Sequence, residues 1–396
     1  GRSVAVLEAR RRIGGRIWTT GVGDARLDLG ASWIHGHVGN PITAYADIFG
    51  LAWRLDESWE TGSRAFIENQ GWANPDLADA AVASQWAFDK SRASEVLDPN
   101  RSQNDAVDWF LDEEGLEGQA RLLADFRLRH VHADLYTAGP AGRISIGGSA
   151  LYEEYPGGNA LIEGGYMDLI EHLASGIDLF TDHEVTHIDH RGPVTISTNQ
   201  GVFEARHAIV TLPLGVLQSD AVAFDPPLRG RGEIDRLDMG HLEKLALVFN
   251  ERWWPTDHKR FMYVSDSFRT PQWIDLTETT GAPTLLAFYN SETSRGWSGL
   301  SSDQRCEEAL TIIRDMFGPS PDPKATAATD WSRDRFSRGS YSYIPIGSTG
   351  EDMDRLAEPQ SDHLMLAGEH TVKNHFGTVH AAIESGQRAA SLVLGM

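Results

Sequence analysis

The sequence predicts an α/β fold joined to a second, α+β part built on a mixed sheet, and three observations carry that prediction. Short apolar runs with strand character stand near the start (SVAVLEA, 3–9), in the middle (within VFEARHAIVTLPLGVL, 202–217) and near the end (HLMLAG, 363–368), so one α/β domain is assembled from distant segments. A stretch from about 41 to 150 turns helical. A Trp-rich stretch with strand character begins at HLEKLALVFN (241–250) and continues through FMYVS and PTLLAFYN, broken by the helix DQRCEEALTIIRDMFG (303–318). The cleft between two such layers is the expected place for a ligand.

Composition narrows the function classes. With 396 residues, 41% hydrophobic and 23% charged, the chain is an ordinary folded protein able to bury one large core or two moderate ones. A net charge of -22 argues against nucleic acid, because a polyanion is repelled. The same charge either raises the local concentration of cationic ligands or simply serves solubility. The one cysteine, Cys306, excludes an internal disulfide framework and a thiolate metal site, and fits a reducing, cytoplasmic compartment, although a disulfide-free secreted protein would look the same. No run approaches the ~18 apolar residues of a membrane span, so no membrane partner is expected. No signal peptide is recognisable, and the chain opens GRSVAVLEAR without an initiator Met.

The elements follow in order. VAVLEA reads as a buried parallel strand ending on an acid, and RRRIGGRIWTT (10–20) as a Gly-punctuated basic loop leading to RLDLGASWIHG (26–36). Helical periodicity marks PITAYADIFGLAW (41–53), LADAAVASQWAFDKSRASEVL (77–97) and AVDWFLDEEGLEGQARLLADF (106–126). Residues 155–190 mix short strands with one helix, and the tail reads strand, turn, then helix from about Thr378.

Several residues point to chemistry. Glu8 at the carboxyl end of a strand suits the ribose hydroxyls of a dinucleotide, although a strand ending in Glu is common. Gly14 and Gly15 permit close backbone approach, and Arg12 and Arg16 offer phosphate-binding forks or a solvated basic loop. In HLEKLALVFN, strand alternation places Lys244 on one face with Leu242, Ala246 and Val248, toward an apolar interior; the alternative is an edge-strand lysine kept for solubility. GEHTVKNHFGT (368–378) sets Glu369, His370 and His375 in a turn, where the plain reading is a Glu369 helix cap with a packed His375. That trio and the pair His35/His37 lack a partnered ligand motif, and the rings of DHEVTHIDH (182–190) point to different faces, so no metal is expected. Glu153 and Glu154 are candidates for gripping a distal ammonium, or form a solvated acidic turn.

VAVLEARRRIGGRIWTT, LDLGASWIHG, the glycine pair of ALIEGGYMDLIEHLA, IVTLPLGVL and AGEHTVKNHFGTVHAAIESGQRAA occur in this order along the chain. This set resembles the flavin amine oxidases, in particular the polyamine and spermine oxidase branch that also includes the flavin-dependent histone lysine demethylases. The resemblance covers nearly the whole chain. It implies an FAD-binding Rossmann-like domain, incomplete at its N-terminus (1–58, 160–222 and 337–396), and an α+β substrate-binding domain with a mixed sheet (59–159 and 223–336). It assigns FAD binding to Glu8, Arg10, Arg12, Gly14, Gly15, Arg16, Gly30, Ala31, Ser32, Trp33, Val185, Gly368, Glu369, Gly377, Thr378 and Val379. Glu369 is implied near the ribityl chain and pyrophosphate, Val185 at the adenine side, and the helix start at Thr378 toward the isoalloxazine. Ser340 stands where the mitochondrial monoamine oxidases carry a flavin-bonding cysteine, so the FAD is expected to be non-covalent.

The implied catalytic group is Lys244, holding a water against flavin N5, with Tyr341 as an aromatic wall over the amine, Thr378 opposite it, and His35 positioning substrate. For Tyr341 the plain alternative is sheet packing. The implied reaction is oxidation of a primary or secondary amine, a polyamine before others, by hydride transfer to N5. The imine then hydrolyses and O₂ reoxidises the flavin to H₂O₂, so the partners are a small-molecule amine and O₂. In that family a strand, a G-x-G-x-x-G fingerprint and its helix precede the point where this chain begins. Gly1-Arg2-Ser3 therefore reads as the turn leaving that helix, and an N-terminally truncated chain with weakened FAD binding and an unpaired strand edge is expected. Two rivals stay open. One is an oxidase of another bulky amine or of an amino acid, whose carboxylate needs an arginine that the sequence does not place. The other is a catalytically dead fold acting as an interaction module.

Overall fold

The computed structural model describes residues 3–56, 58, 63–92, 98, 100–267 and 272–395. The expected turn at Gly1-Arg2 and the last five residues of the 77–97 helix lie outside the described residues.

The architecture is the expected combination of α/β elements with a mixed sheet. Seven strands lie side by side in the order Ala325–Ala328, Leu242–Val248, Thr284–Asn290, Gln272–Asp275, Arg260–Val264, Ser63–Ile67 and Gly71–Trp72. All neighbours are antiparallel except Arg260–Val264 with Ser63–Ile67, which makes the sheet mixed. Alternation divides its two faces. Leu245, Leu247, Phe249, Phe261, Trp273, Leu285 and Tyr289 pack on Ala309, Ile312, Ile313 and Met316 of the helix Ser302–Phe317. Ala246, Val248, Ile274, Leu286 and Phe288 face the other way, against Val22, Leu27 and Leu29. Lys244 shares that second face, as alternation predicts.

Leu242–Val248 is hydrogen-bonded on both sides, so the edge-strand reading of Lys244 is wrong. Its neighbour Glu243 points to the opposite side and is 0% exposed. The Glu243 carboxylate accepts from Thr329 Oγ1 (2.6 Å), Trp331 N (2.9 Å), Ser332 N (2.9 Å) and Ser332 Oγ (2.9 Å). Four donors on one acid tie the strand to the 329–332 loop and fix its register.

The α/β side holds two short parallel pairs, Ala5–Leu7 with Asp178–Phe180 and Ala208–Val210 with Leu364–Leu366. The helix Val379–Gly395 buries Ala389 against Met365 and Ala367. A four-stranded sheet (Gly201–Ala205, Val194–Thr198, Val185–Asp189, Ala223–Asp225) lies beside them. The first strand is parallel as expected but not buried: Val4 is 62% and Val6 38% exposed. Among the described residues its one strand partner is the three-residue run Asp178–Phe180, and nothing covers its outer face.

The stretch 41–150 is not helical throughout. It holds the helices Pro41–Phe49, Pro75–Arg92, Gln103–Glu113 and Gly118–Phe126, but also the strands Trp53–Leu55, Ser63–Ile67 and Gly71–Trp72. Two of those strands complete the seven-stranded sheet, so distant pairing decides what their local pattern leaves ambiguous. Local chemistry starts the helices: Asn40 Oδ1 accepts from Ile42 N (2.9 Å) with Pro41 at the first position, and Ser102 and Ser301 form capping boxes with Asp105 and Gln304.

Replacing Glu243 with Ala leaves two backbone N–H groups and two hydroxyls without their acceptor and is expected to cost about 3 kcal/mol. Urea unfolding of the purified chain measures it. A loss below about 0.5 kcal/mol shows that the loop re-pairs without Glu243.

Candidate active site

The hairpin Thr19–Val22/Ala25–Asp28 delivers the chain into Leu29–His35, which runs along the cavity face of the large sheet. Gly30 lies so close to the Arg16 carbonyl that a Cβ would sit 2.0 Å from its oxygen, so only glycine fits there. Ala31 N donates to the same carbonyl at 3.2 Å. This course turns the Asp28 and Gly30 carbonyls and the Ser32 hydroxyl toward Lys244.

Lys244 is 4% exposed. Its Nζ donates to Gly30 O (2.5 Å), Ser32 Oγ (2.5 Å) and Asp28 O (3.2 Å), and stands 5.5 Å from the Trp33 ring and 5.9 Å from the Phe288 ring. Burial draws its pKa down to about 8, against the pull of the Asp28 carboxylate. Burial likewise raises Asp28 to about 6, opposed by the hydrogen bond from Thr19 and by Lys244. The lysine is therefore partly neutral near pH 8, a state available for proton exchange.

The C-terminal turn forms the facing wall. Glu369 accepts from Arg16 Nη1 (2.8 Å), Ser342 Oγ (2.6 Å) and Gly377 N (2.9 Å). Burial pushes its carboxyl up, but Arg16, His370 and Ser342 outweigh that and hold it below its ordinary value. It is a clamp between segments, not the helix cap of the plain reading. The cap is Thr378, whose Oγ1 accepts from Ala381 N (3.1 Å) and donates to His375 O (2.6 Å). His375 does pack as the plain reading has it: it pairs with Glu384 (2.9 Å) and stacks on Tyr155. Gly377 has φ 75°, and a Cβ there would approach the Tyr341 ring at 3.2 Å, so the turn seats that ring. The Tyr341 hydroxyl donates to Leu135 O, and burial raises its pKa strongly.

These elements enclose a cavity of about 840 Å³, toward the upper end of the ~300–1,000 Å³ of small-molecule sites. Its wall includes Glu8, Arg10, Gly14, Gly15, Arg16, Gly30, Ala31, Ser32, Trp33, His35, Val185, Lys244, Tyr341, Gly368, Glu369, Gly377, Thr378 and Val379. Of the residues expected to bind FAD, Arg12 alone is outside it: it donates to the Ile13 and Ile17 carbonyls (3.2 Å each) and lies over Trp18. Arg10 reaches the wall but is paired with Asp334 (2.6 Å) and Ser337 (2.8 Å). Glu8 accepts from Arg10 N (2.7 Å), and Val185 lies in the wall with Thr211 and Leu212.

His35 is fixed by Asn159 (3.3 Å) and by Asn40, which donates to its carbonyl (3.1 Å), and burial lowers its pKa, favouring the neutral ring. His37 bonds Gly158 O outside the wall. Glu153 and Glu154 are exposed and are not in the wall itself, but Glu154 lies within electrostatic range of the wall residues Tyr136 and Tyr152, and desolvation raises its carboxyl. Ser340 is in the wall, bonded to Gly240 O (3.0 Å) and Leu242 N (3.0 Å). Sequence reasoning missed Arg260, Gln272, Phe288 and Tyr136 in the same wall. Arg260 was findable, being a charge at the head of an apolar strand, as Lys244 is inside one.

A cavity whose wall combines an acid at a strand end, glycine-lined backbone and a buried ammonium is the kind of site that holds a dinucleotide cofactor. Residues 1–394 match the flavin containing amine oxidoreductase family, and the chain belongs to that family. It is 29% identical over 419 residues to Lysine-specific histone demethylase 1 homolog 2 of Arabidopsis thaliana, covering 100% of this chain and 55% of that protein. It is likewise 29% identical over 430 residues to the like-named protein of Oryza sativa subsp. japonica, covering 100% of this chain and 54% of that one. The chain spans about half the length of the curated relatives it matches. A solved structure of putrescine oxidase bound to putrescine shares the fold, with TM-score 0.79 and 20% identity over 100% of this chain and 94% of that one. FAD is the cofactor that family membership implies. The cavity fits it, since the glycine cradle, the helix start at Thr378 and the ribose-suited Glu8 share one wall. Among the described residues no helix is long and apolar enough to cross a membrane.

The lysine makes a signed prediction for the flavin-free chain. Unfolded Lys244 titrates near 10.5 and folded Lys244 near 8. Between those values the unfolded state binds the extra proton, so stability rises with pH across the window, and the cost of burial is fully present below pH 8. Relative to Lys244→Met, the unchanged chain should gain about 3 kcal/mol from pH 8 to 10.5 in thermal or urea unfolding. Parallel pH curves for the two proteins contradict a buried titrating lysine.

Proposed function

We propose that this chain oxidises an amine, using FAD. The observation that supports it best is the convergence of a buried, carbonyl-held lysine with Tyr341 and Thr378 on the wall of the cavity that also carries Glu8 and Val185. The bound flavin supplies the two-electron chemistry, accepting hydride from the carbon next to nitrogen and passing the electrons to O₂. The balance is simple: the amine loses two electrons and two protons to become an imine, O₂ gains them as H₂O₂, and water hydrolyses the imine to a carbonyl compound and the smaller amine.

The protein's own part is positioning and proton handling. Tyr341 offers a ring whose hydroxyl is tied back to Leu135, so a face and not a donor meets the amine. Neutral His35, held by Asn159, accepts or donates a hydrogen bond without placing a second cation beside the amine. Lys244, partly deprotonated near pH 8, holds or releases a proton at Nζ. Ser340 occupies the position implied for a bonding cysteine, and Cys306 lies outside the wall, so the reading includes a non-covalent flavin.

Which amine is used is a separate matter. A polyamine suits the charge of -22, and of the acids named to grip its far ammonium, Glu154 lies within electrostatic range of the wall residues Tyr136 and Tyr152, whereas Glu153 is exposed. Amine oxidation is therefore the reading carried forward, with polyamines among its candidate substrates.

Anaerobic mixing of the flavin-loaded chain with a panel of amines, polyamines included, should bleach the flavin, with a rate that rises through the substrate amine pKa because only the neutral amine has a free lone pair. Lys244→Met should slow turnover at least ~10-fold while changing substrate binding less than ~3-fold. A flat rate from about pH 6 to 10 removes the neutral-amine step, and an unchanged Lys244→Met rate removes the lysine from its role.

A further inference from the structure

The glycine pair Gly164-Gly165 lies outside the cavity wall, yet it bears on a carboxyl group beside Lys244. Asp28 ends the strand Ala25–Asp28 and pairs across the hairpin with Thr19. Its Oδ1 accepts from Thr19 Oγ1 and from Tyr166 N (3.1 Å), and Thr19 Oγ1 in turn accepts from Met167 N (3.0 Å). Two N–H groups at the start of the helix Met167–Ala174 therefore end on this pair, where the helix dipole favours an anion. Gly165 permits the approach: it has φ 104°, and a Cβ there would lie 2.4 Å from Thr19 Cγ2 and 3.0 Å from Asp28 Oδ1.

The backbone carbonyl of Asp28 is one of the three acceptors of the Lys244 ammonium. Tyr166 reaches the same segment again, its hydroxyl donating to Trp33 O (2.9 Å). The helix start thus grips residues 28–33 at both ends, and Asp28 is the end that carries charge. The groups around its carboxyl are few. Arg26, on the same strand, turns to Asp168 (2.5 Å), and the Tyr166 hydroxyl is occupied by Trp33. Across on the large sheet stands Lys244, and among the described residues Asp28 is the one ionisable group whose charge bears on that lysine. Arg260, the other cation near the Trp33 ring, is met by Asp56 instead. The three acceptors of Lys244 satisfy its N–H groups without neutralising it, so its counter-charge falls to Asp28 alone.

We propose that Asp28 is a positioning residue of the oxidation site: anchored on the helix start, its carboxylate is the counter-charge of Lys244 and fixes the carbonyl cradle against the ammonium. The catalytic consequence rests on the amine-oxidation reading, whereas the pairing does not. Burial raises the Asp28 carboxyl to about 6 and lowers Lys244 to about 8, so both are charged only between those values. Below that window the lysine is a buried cation without a counter-charge, and above it the lysine is neutral. The Asp28 carboxylate is the one influence that raises Lys244 against burial. Asp28→Asn should therefore move the lysine titration to lower pH by roughly one unit.

The chain has five lysines, so the site can be read directly by NMR with lysine 13C-labelled at Cε. In the flavin-free chain one signal, missing in Lys244→Met, should titrate near pH 8 with a smaller inflection near pH 6. In Asp28→Asn the inflection should vanish and the main midpoint should fall by roughly one unit. In the flavin-loaded chain, reoxidation by O₂ after photoreduction, with no amine present, should shift its pH profile in the same direction. In a Lys244→Met background, Asp28→Asn should leave that profile where it is.

An unchanged Lys244 midpoint in Asp28→Asn overturns the proposal, and if that variant also melts lower, Asp28 is a structural prop. A single-step Lys244 titration in the unsubstituted chain overturns it as well, and that measurement needs no Asp28 variant to fold. If the midpoint shifts yet no amine reduces the flavin, the amine-oxidation reading falls and the Asp28–Lys244 pair stands.

Discussion

The ammonium of Lys244 against the carbonyls of Asp28 and Gly30 is the contact around which the site is organised. A lysine in the middle of an apolar, doubly paired strand is tolerated only if acceptors are delivered to it. Delivery depends on the Leu29–His35 segment lying flat against the sheet, and that depends on Gly30 touching the Arg16 carbonyl. The next residue back shows the same logic reversed. Glu243 points to the opposite face and gathers four donors from 329–332, so two adjacent charges in one strand anchor its two sides. The strand cannot slip by one residue without exchanging them, and a slip would place an acid among carbonyls.

A second clamp closes the opposite wall. Glu369 joins Arg16, Ser342 and Gly377, residues from the beginning and end of the chain, at one carboxylate. Because Arg16 also donates to Ser340 O (2.9 Å), the basic loop near the start is pinned beside the Tyr341 turn. Removing the carboxylate would free the glycine turn and the aromatic wall together, so the shape of the cavity and the position of its rings are one property.

Much of this was legible in the sequence, and the reasons differ by residue. Lys244 was readable because alternation in HLEKLALVFN fixes its face, Glu8 because it ends an apolar strand and Gly377 because a glycine there permits close backbone approach, whereas Gly30 and Thr378 came only from the family resemblance. Between Arg12 and Arg16 the sequence could not choose, since a basic loop offers several forks and only packing shows Arg16 reaching Glu369 while Arg12 folds over Trp18. The strand Ser63–Ile67 was hidden in a helical stretch because its partner Arg260–Val264 lies nearly two hundred residues away. The exposure of Val4 and Val6 was equally invisible, since an apolar run says nothing about what covers it.

The charge of -22 on the whole chain and the cations in the cavity wall act at different ranges. The outer field reaches a cationic ligand only over about a Debye length, ~8–10 Å at physiological salt. Inside, Lys244 is met by the Asp28 and Gly30 carbonyls and Arg260 by Asp56, so an amine entering the cavity meets cations that are already partnered. The acidic exterior therefore bears on capture and solubility, and which amine is accepted is decided by the shape and pairing of the wall.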